Sequence, residues 1–389
     1  MFRAPNNWNL TTDENEGNPV AYPGEFKGVP FNGDISVPVH PGSYTSVGNP
    51  YPSNIKLGDN PSNPENDTFL NANPEVGTIY FWTNTYGADG EGGYTGNNWA
   101  TYTFMGGTSA GMGAQGETPV AFIAPGQGFI INSTESGTSV SFNNTMRTSE
   151  EALFFKDDEE QINRFWLNLQ GANSESYNQI LIGYMDGATY GIDHQIDGEM
   201  FGYGGSAIYN LIDDASAGSA TRFTIQGRPQ FEAADVVPIG FRAIEDGKYR
   251  ITLSDYQGLF AEGQVTIYLK DKALHIIHNL MESDYDFESI QGEFNERFEI
   301  IYQEEGTMGT DEQNANEIQI YKDKDYIVVD SKTEKILSVE LYDLSGRDLY
   351  REENINAKHY QVKSPAKGII VVKAQAETGE FVTKKVINN

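Results

Sequence analysis

Glycine, proline, asparagine and aspartate interrupt the chain about every ten residues, and this spacing limits its elements to short strands. Between the interruptions lie runs rich in β-branched and aromatic residues, and few of them have the period of about 3.6 residues that marks an amphipathic helix. The sequence therefore predicts an all-β protein made of tandem β-sandwich modules. The clearest runs are Thr78–Thr83, Val120–Ile123, Gly128–Asn132, Thr138–Phe142, Arg164–Leu169, Gln179–Tyr184, Lys248–Leu253 and Gln264–Leu269.

The charge distribution divides the chain near its C-terminal end. Of 26 basic and 56 acidic residues, the last 74 residues contain 12 of each, so the whole net charge of −30 lies upstream. Such a shift indicates a domain boundary. We predict a β-rich module over 1–150 that is truncated at its N-terminus, an acidic β-sandwich over 155–303, a polar linker over 304–316, and a small immunoglobulin-like β-sandwich over 317–389.

Composition excludes several classes of protein. The chain has no cysteine, which removes disulfide scaffolds, thiolate metal sites and cysteine nucleophiles. Its acidic excess repels a phosphate backbone, so nucleic acid is not an expected partner. No apolar run approaches the roughly 18 residues of a membrane-spanning helix, so no transmembrane segment is expected. Residues 1–10 lack the charged start and apolar core of a secretory signal, and we expect the chain to be the C-terminal part of a longer one.

Four acidic residues stand close together among glycines, and they are the candidate metal ligands. Oxygen ligands on glycine-rich loops suit calcium, although the spacing is not that of an EF-hand. A solvated acidic loop is the alternative. The four residues are Asp186, Asp193, Asp197 and Glu199.

No catalytic residue is predicted. Gly107, Ser109 and Gly111 fit the pattern of a serine-hydrolase nucleophile elbow, which requires a helix to start directly after the serine. Three further turn-forming residues follow at once, so a glycine-rich loop is the better interpretation. A glycosidase-like pair of carboxylates remains the enzymatic alternative, with Asp186 and Asp193 as the residues to test.

Aromatic residues stand beside many of the turns and allow two interpretations. They can pack between sheets, or they can form a sugar-binding platform at the surface. The residues are Tyr51, Tyr80, Trp82, Trp99, Tyr102, Trp166, Tyr184 and Tyr190.

The last 73 residues contain seven runs with strand character, which fits a small immunoglobulin-like sandwich. Residues 343–347 form a hairpin turn in which Gly346 supplies the positive φ. The runs are Glu317–Tyr321, Tyr326–Val329, Ile336–Tyr342, Asp348–Arg351, Tyr360–Val362, Gly368–Ala374 and Thr383–Val386.

This region resembles the type-A C-terminal sorting domain of the type IX secretion system of Bacteroidota. The matching stretches are residues 318–321, 326–329, 339–347, 367–373 and 381–387. The upstream residues resemble β-rich modules of large flavobacterial surface proteins, in blocks 47–53, 124–129, 142–147, 165–169 and 182–189. The residues that carry the sorting motif are Asp343, Gly346, Arg347, Gly368, Val372, Lys384 and Lys385.

The resemblance implies an exported protein. A folded C-terminal domain of this kind is read by the outer-membrane translocon and its associated shuttle and attachment components, after Sec export through the periplasm. The implied location is the cell surface or the medium, and the implied role of the upstream modules is adhesion or binding, including gliding motility. The alternative is a carbohydrate-binding or accessory region of a large secreted glycoside hydrolase or other hydrolase, with surface glycans as partners.

Overall fold

The computed structural model is all-β, which confirms the predicted fold class. It describes residues 27–58, 60–62, 65, 67–83, 97–111, 118–119, 121–149, 162–171, 177–202, 205–212, 221–303, 318–323, 326–332, 334–343, 347–366, 368–379 and 381–388. The predicted linker over 304–316 lies outside these ranges, as do Gly346 and the predicted boundary between 150 and 155. Within the described ranges, no helix is long and apolar enough to cross a membrane.

In its described residues, the first module, defined as residues 35–148, contains ten strands, one short α-helix and one 3₁₀ turn (Asn144–Met146). A five-stranded sheet has the order β2-β8-β4-β5-β6, and two smaller sheets have the orders β10-β3-β7 and β1-β9. Its elements are β1 (Ile35–Pro38), β2 (Tyr44–Gly48), β3 (Asn54–Lys56), α1 (Phe69–Ala72), β4 (Val76–Trp82), β5 (Trp99–Thr103), β6 (Gly106–Thr108), β7 (Phe122–Ile123), β8 (Gly128–Ser133), β9 (Ser139–Phe142) and β10 (Arg147–Thr148).

All three sheets and α1 contribute to one core in this module. Alternation along β4 sends Ile79 and Phe81 into this core and leaves Tyr80 on the other face of the five-stranded sheet. Helix α1 buries Phe69, whose ring packs against Phe129 of β8 at 5.3 Å between centroids. Thr68 caps the N-terminus of α1, because its side chain accepts a hydrogen bond from the backbone N–H of residue 71.

The second module, residues 163–301, is built on one eleven-stranded sheet. The strand order is β19-β18-β21-β16-β14-β15-β12-β11-β17-β20, with β13 pairing separately with β15. Among the described strands, β12 and β15 are the one parallel pair in this sheet. The strands are β11 (Asn163–Gln170), β12 (Tyr177–Tyr184), β13 (Gly198–Glu199), β14 (Ala207–Ile212), β15 (Thr221–Arg228), β16 (Val236–Ala243), β17 (Gly247–Gln257), β18 (Tyr268–Asp271), β19 (Ile276–Asn279), β20 (Tyr285–Ser289) and β21 (Gly292–Ile301).

The large sheet coils until its two ends meet, and the core of the module lies inside the coil. Tyr285 of β20 donates to Asp271 of β18 at 2.9 Å, which joins strands from opposite ends of the sheet. Asp271 is fully buried and is paired with Arg297, whose guanidinium lies 4.8 Å from the ring centroids of both Phe287 and Phe298. A buried carboxylate needs such a partner, because its desolvation is otherwise costly.

The C-terminal module, residues 318–388, is a two-sheet sandwich with its own hydrophobic core. One sheet has the order β22-β23-β26 and the other the order β25-β24-β27-β28. Each of the seven strands predicted from the sequence is present. They are β22 (Ile318–Asp323), β23 (Tyr326–Ser331), β24 (Ile336–Tyr342), β25 (Asp348–Ala357), β26 (His359–Lys363), β27 (Gly368–Ala376) and β28 (Phe381–Asn388).

Candidate functional site

A bridging segment, residues 193–202, leaves the second module and crosses the outer face of the five-stranded sheet of the first. Its backbone carbonyls accept hydrogen bonds from side chains on that face. The hydroxyl of Thr103 donates to the carbonyl of Ile196 at 2.8 Å, and that of Tyr80 donates to the carbonyl of Glu199 at 3.0 Å. Next to it, Met105 of the first module enters an apolar cluster formed otherwise by the second module. The two modules are therefore joined by both polar and apolar contacts.

Asp197, one of the predicted calcium ligands, holds the bridging segment in place. Its side chain is almost fully buried and accepts from the backbone N–H of Asp193 at 2.6 Å and of Gly227 at 2.8 Å. Burial raises the pKa of the Asp197 carboxyl to about 7, and the two N–H donors offset only part of that effect. Gly227 has no room for a side chain here, because an added Cβ would lie 2.2 Å from Ile196.

The other three acidic residues of this group accept hydrogen bonds from separate partners. Asp193 accepts from the backbone and hydroxyl of Thr189, while Asp186 accepts from the side chain of Gln230. Glu199 accepts from the hydroxyl of Tyr44 at 3.3 Å. Among the described residues, no three histidine, aspartate or glutamate side chains are grouped to hold a metal ion. Calcium binding by the four residues stays a prediction.

Beside the bridging segment lies an aromatic surface, defined here as Tyr44, Trp82, Trp99 and Phe201. Trp82 and Trp99 are cross-strand partners on β4 and β5, with ring centroids 5.0 Å apart. Phe201 packs on Trp99 at 5.0 Å and on Tyr44 at 4.7 Å. Tyr80 lies beneath Phe201 and is fully buried, whereas Tyr44 is 39% exposed and the other three rings are partly exposed.

Strand alternation explains why these rings share a face. Tyr80 and Trp82 are two residues apart on β4, and Trp99 pairs with Trp82 on β5, so all three point away from the core. Tyr44 lies on the matching side of β2, because Val47, three residues later, enters the core. The polar groups at the edge of the surface are the Tyr44 hydroxyl and the Glu199 carboxylate. Burial, together with the negative charge of Glu199, raises the pKa of Tyr44 to about 12.

The structure separates the aromatic residues singled out in the sequence into three groups. Trp82 and Trp99 belong to the aromatic surface. Tyr51, Tyr80, Tyr102, Trp166 and Tyr184 are buried, and Tyr190 is an exposed ring over the guanidinium of Arg228. Tyr44 and Phe201 were not singled out. The alternation of inward and outward side chains along β2 could have indicated Tyr44. Phe201 had no such local signal, because only the path of the bridging segment brings it to this surface.

Ser109 of the G-x-S-x-G pattern is buried where the first two modules meet. Its hydroxyl donates to the carbonyl of Gly111 and lies 3.3 Å from the hydroxyl of Tyr177, while its backbone N–H donates to Gln179. Among the described residues, its hydrogen-bond partners thus include neither a histidine nor a carboxylate. The loop of residues 112–117 lies outside the described ranges.

The sorting-motif residues in the C-terminal module fall into a turn and a strand pair. In the turn, Arg347 donates from its backbone N–H and its Nε to the two carboxylate oxygens of Asp343, at 3.0 and 2.9 Å. The backbone N–H of Asp343 donates in return to the carbonyl of Arg347 at 3.1 Å. The guanidinium is 76% exposed, so the motif both closes the turn and presents a cation to solvent.

The strand pair is β27 and β28. Gly368 begins β27, and Val372 is fully buried in the core. Lys384 is the cross-strand partner of Val372 but is exposed, and Lys385 pairs in register with Val371. Strand β28 is the last strand of its sheet within the described residues. A lysine on such an edge disfavours pairing with another chain.

The fold and these sites define a modular all-β protein with a two-module body and a separate C-terminal sandwich. Residues 1–302 match the model of the family described as domain of unknown function DUF8693, and the chain therefore belongs to that family. Residues 307–388 match a second family, described as domain of unknown function DUF8694. No curated protein matches the chain.

Proposed function

We propose that the chain is an exported cell-surface or secreted protein whose C-terminal module is a type IX sorting signal. In this proposal the first two modules form the cargo and serve adhesion or binding. The observation that carries the proposal is the independence of the C-terminal module, which has its own core and its own family match. A signal that is read as a folded domain needs such a unit.

The electrostatic contrast between the two parts supports this assignment. Residues 316–389 carry as many basic as acidic side chains, while the upstream chain carries the entire net charge of −30. An acidic cargo stays soluble, and a neutral module with lysines and arginines offers a different surface for recognition. Arg347 and Lys384 present their charges to solvent, whereas Val372 fixes the fold beneath them.

A binding role for the two-module body is consistent with how its polar and aromatic side chains are used. The backbone of Ser109 donates a hydrogen bond to Gln179 across the two modules, and Asp197 anchors the bridging segment to Gly227, whereas the aromatic surface keeps part of its area in solvent. The alternative is an accessory or carbohydrate-binding region of a larger secreted hydrolase. The two versions share the same binding surface and differ in what lies upstream of it.

A reporter fusion tests the sorting role. Residues 304–389 are fused behind a Sec signal and a fluorescent protein and expressed in a type IX-competent host and in its translocon-null mutant. We expect export only in the competent host. A matched fusion that carries residues 1–303 instead should stay in the periplasm of both hosts. Retention of the first fusion in both hosts, or secretion of the native protein without residues 317–389, would contradict the proposal.

A further inference from the structure

The outer face of the five-stranded sheet carries large aromatic residues where a sandwich module normally carries polar ones. The chain has four tryptophans, and two of them, Trp82 and Trp99, lie side by side on this face with part of their rings in solvent. Tyr44 extends the same surface across β2. A contiguous exposed aromatic surface is informative, since single exposed apolar residues are common but grouped ones mark binding sites.

Contact between the first two modules accounts for only part of this surface. Phe201 from the bridging segment covers Tyr80, with ring centroids 4.9 Å apart, and Tyr80 is fully buried as a result. The rings of Trp82, Trp99 and Tyr44 surround that contact and keep exposed area. Tyr44 and Trp99 pack against Phe201, and Trp82 packs against Trp99, so a ligand would find the surface already formed, at little cost in side-chain entropy.

The chemistry of the surface selects a ligand class. Flat aromatic rings offer apolar faces, and the Glu199 carboxylate and Tyr44 hydroxyl at their edge offer an acceptor and a polar group. A pyranose ring matches this arrangement, because it has an apolar C–H face and hydroxyl donors around its rim. The net charge of −30 and the carboxylate at the site both disfavour polyanionic ligands.

We propose that the aromatic surface binds an uncharged oligosaccharide, with one sugar against the partly exposed ring of Trp99, which meets Trp82 edge to face with ring planes 70° apart, and with a sugar hydroxyl donating to Glu199. The inference rests on the binding half of the proposed function and is independent of the export route. It assigns a ligand class to residues 44, 99, 199 and 201, which come from two strands and the bridging segment.

The test uses the purified full chain. Immobilised oligosaccharides of glucose, galactose, mannose and N-acetylglucosamine form the uncharged set, and sulfated and uronate-containing glycans form the polyanionic set. Binding to any positive glycan is then titrated by tryptophan fluorescence. Three variants alter the site: Trp99→Ala without the ring, Trp99→Phe with a smaller ring, and Tyr44→Phe without the hydroxyl. Tyr256→Ser, at an exposed tyrosine on β17, is the matched control.

We expect an uncharged glycan to bind and Trp99→Ala to weaken that binding at least ~10-fold, since a stacked ring contributes on this scale. Trp99→Phe keeps a ring to pack on Phe201, so it tests the site if Trp99→Ala does not fold, and it should weaken binding less. Tyr44→Phe should weaken it a few-fold, and Tyr256→Ser should not change it.

Three outcomes overturn the proposal: no uncharged glycan binds, only polyanionic glycans bind, or the folded Trp99 and Tyr44 variants bind like the wild type. Failure of export with glycan binding intact would remove the sorting role alone. Export without glycan binding would remove this inference alone.

Discussion

Asp197 makes the stability of the body depend on pH in a direction opposite to that of most carboxylates. Burial raises the pKa of this carboxyl from its ordinary 3.8 to about 7, so the folded protein binds the proton more tightly than the unfolded chain does. Its contribution to stability is therefore complete below about pH 4 and is lost as the pH rises to about 7. The neighbouring Asp193 charge acts in the same direction and that of Arg228 against it.

The size of the effect follows from the two pKa values. Each pKa unit corresponds to about 1.4 kcal/mol, and between pH 5 and pH 8 the folded carboxyl loses its proton while the unfolded one has already lost it. The free energy of unfolding should fall by roughly 2.5 kcal/mol over this interval through Asp197 alone. Asp197→Asn removes this dependence. It also replaces one acceptor by a donor, which costs about 1–3 kcal/mol at every pH.

The assay is urea unfolding followed by tryptophan fluorescence at pH 5 and pH 8, for the wild type, Asp197→Asn and a control. The control is Asp186→Asn, because an amide oxygen can still accept the hydrogen bond from Gln230 at that exposed position. We expect the wild type and the control to lose the same amount of stability between the two pH values, and Asp197→Asn to lose less. Equal losses in all three proteins would refute the reasoning.

Three further predictions follow from other contacts. Arg297→Met leaves the buried Asp271 carboxylate without its cation and should lower the free energy of unfolding by about 3–5 kcal/mol in urea titrations; adding Asp271→Asn should recover part of this loss, because the neutral amide oxygen can still accept from the hydroxyl of Tyr285. Arg347→Ala breaks an exposed ion pair, so it should change the free energy of unfolding by less than about 1 kcal/mol while reducing reporter export. Arg351→Ala, which removes another exposed arginine of the same module, is the control. Equal export of the two variants would count against recognition of Arg347 by the translocon. Because the oxygens of Asp197 accept backbone N–H groups, calcium at ~1 mM should leave the melting temperature within about 1 °C of that in EGTA; a clear rise would contradict this expectation and support the predicted calcium site.

Strands that carry their own local signal were predicted, whereas the predicted run Gln264–Leu269 overlaps β18 only at residues 268–269. In the C-terminal module, turn residues bound every run, and the predicted run Ile336–Tyr342 coincides with β24. In the second module, the predicted run Arg164–Leu169 lies within β11, and Gln179–Tyr184 lies within β12. The coil of the large sheet was not predictable, because it depends on contacts between β18 and β20 that have no local pattern.

The aromatic surface was only half predictable for the same reason. Trp82 and Trp99 stand at strand ends, where alternation and turns indicate their face. Phe201 and Glu199 arrive from more than 90 residues away along the chain, and only the path of the bridging segment brings them to β2, β4 and β5. The acidic residues suggested metal chemistry because their sequence pattern shows neither burial nor the backbone donors around Asp197.

The bridging segment also explains why one family spans both modules of the body while a second family begins after it. Its carbonyls accept hydrogen bonds from Thr103 and Tyr80 of the first module, and Asp197 anchors it to Gly227 of the second. Neither module can therefore lose its partner without exposing polar groups and the Met105 cluster. We therefore expect the two modules of the body to fold as one unit. Its aromatic surface, assembled from both modules, exists only when that unit is intact, whereas the C-terminal module keeps its own core.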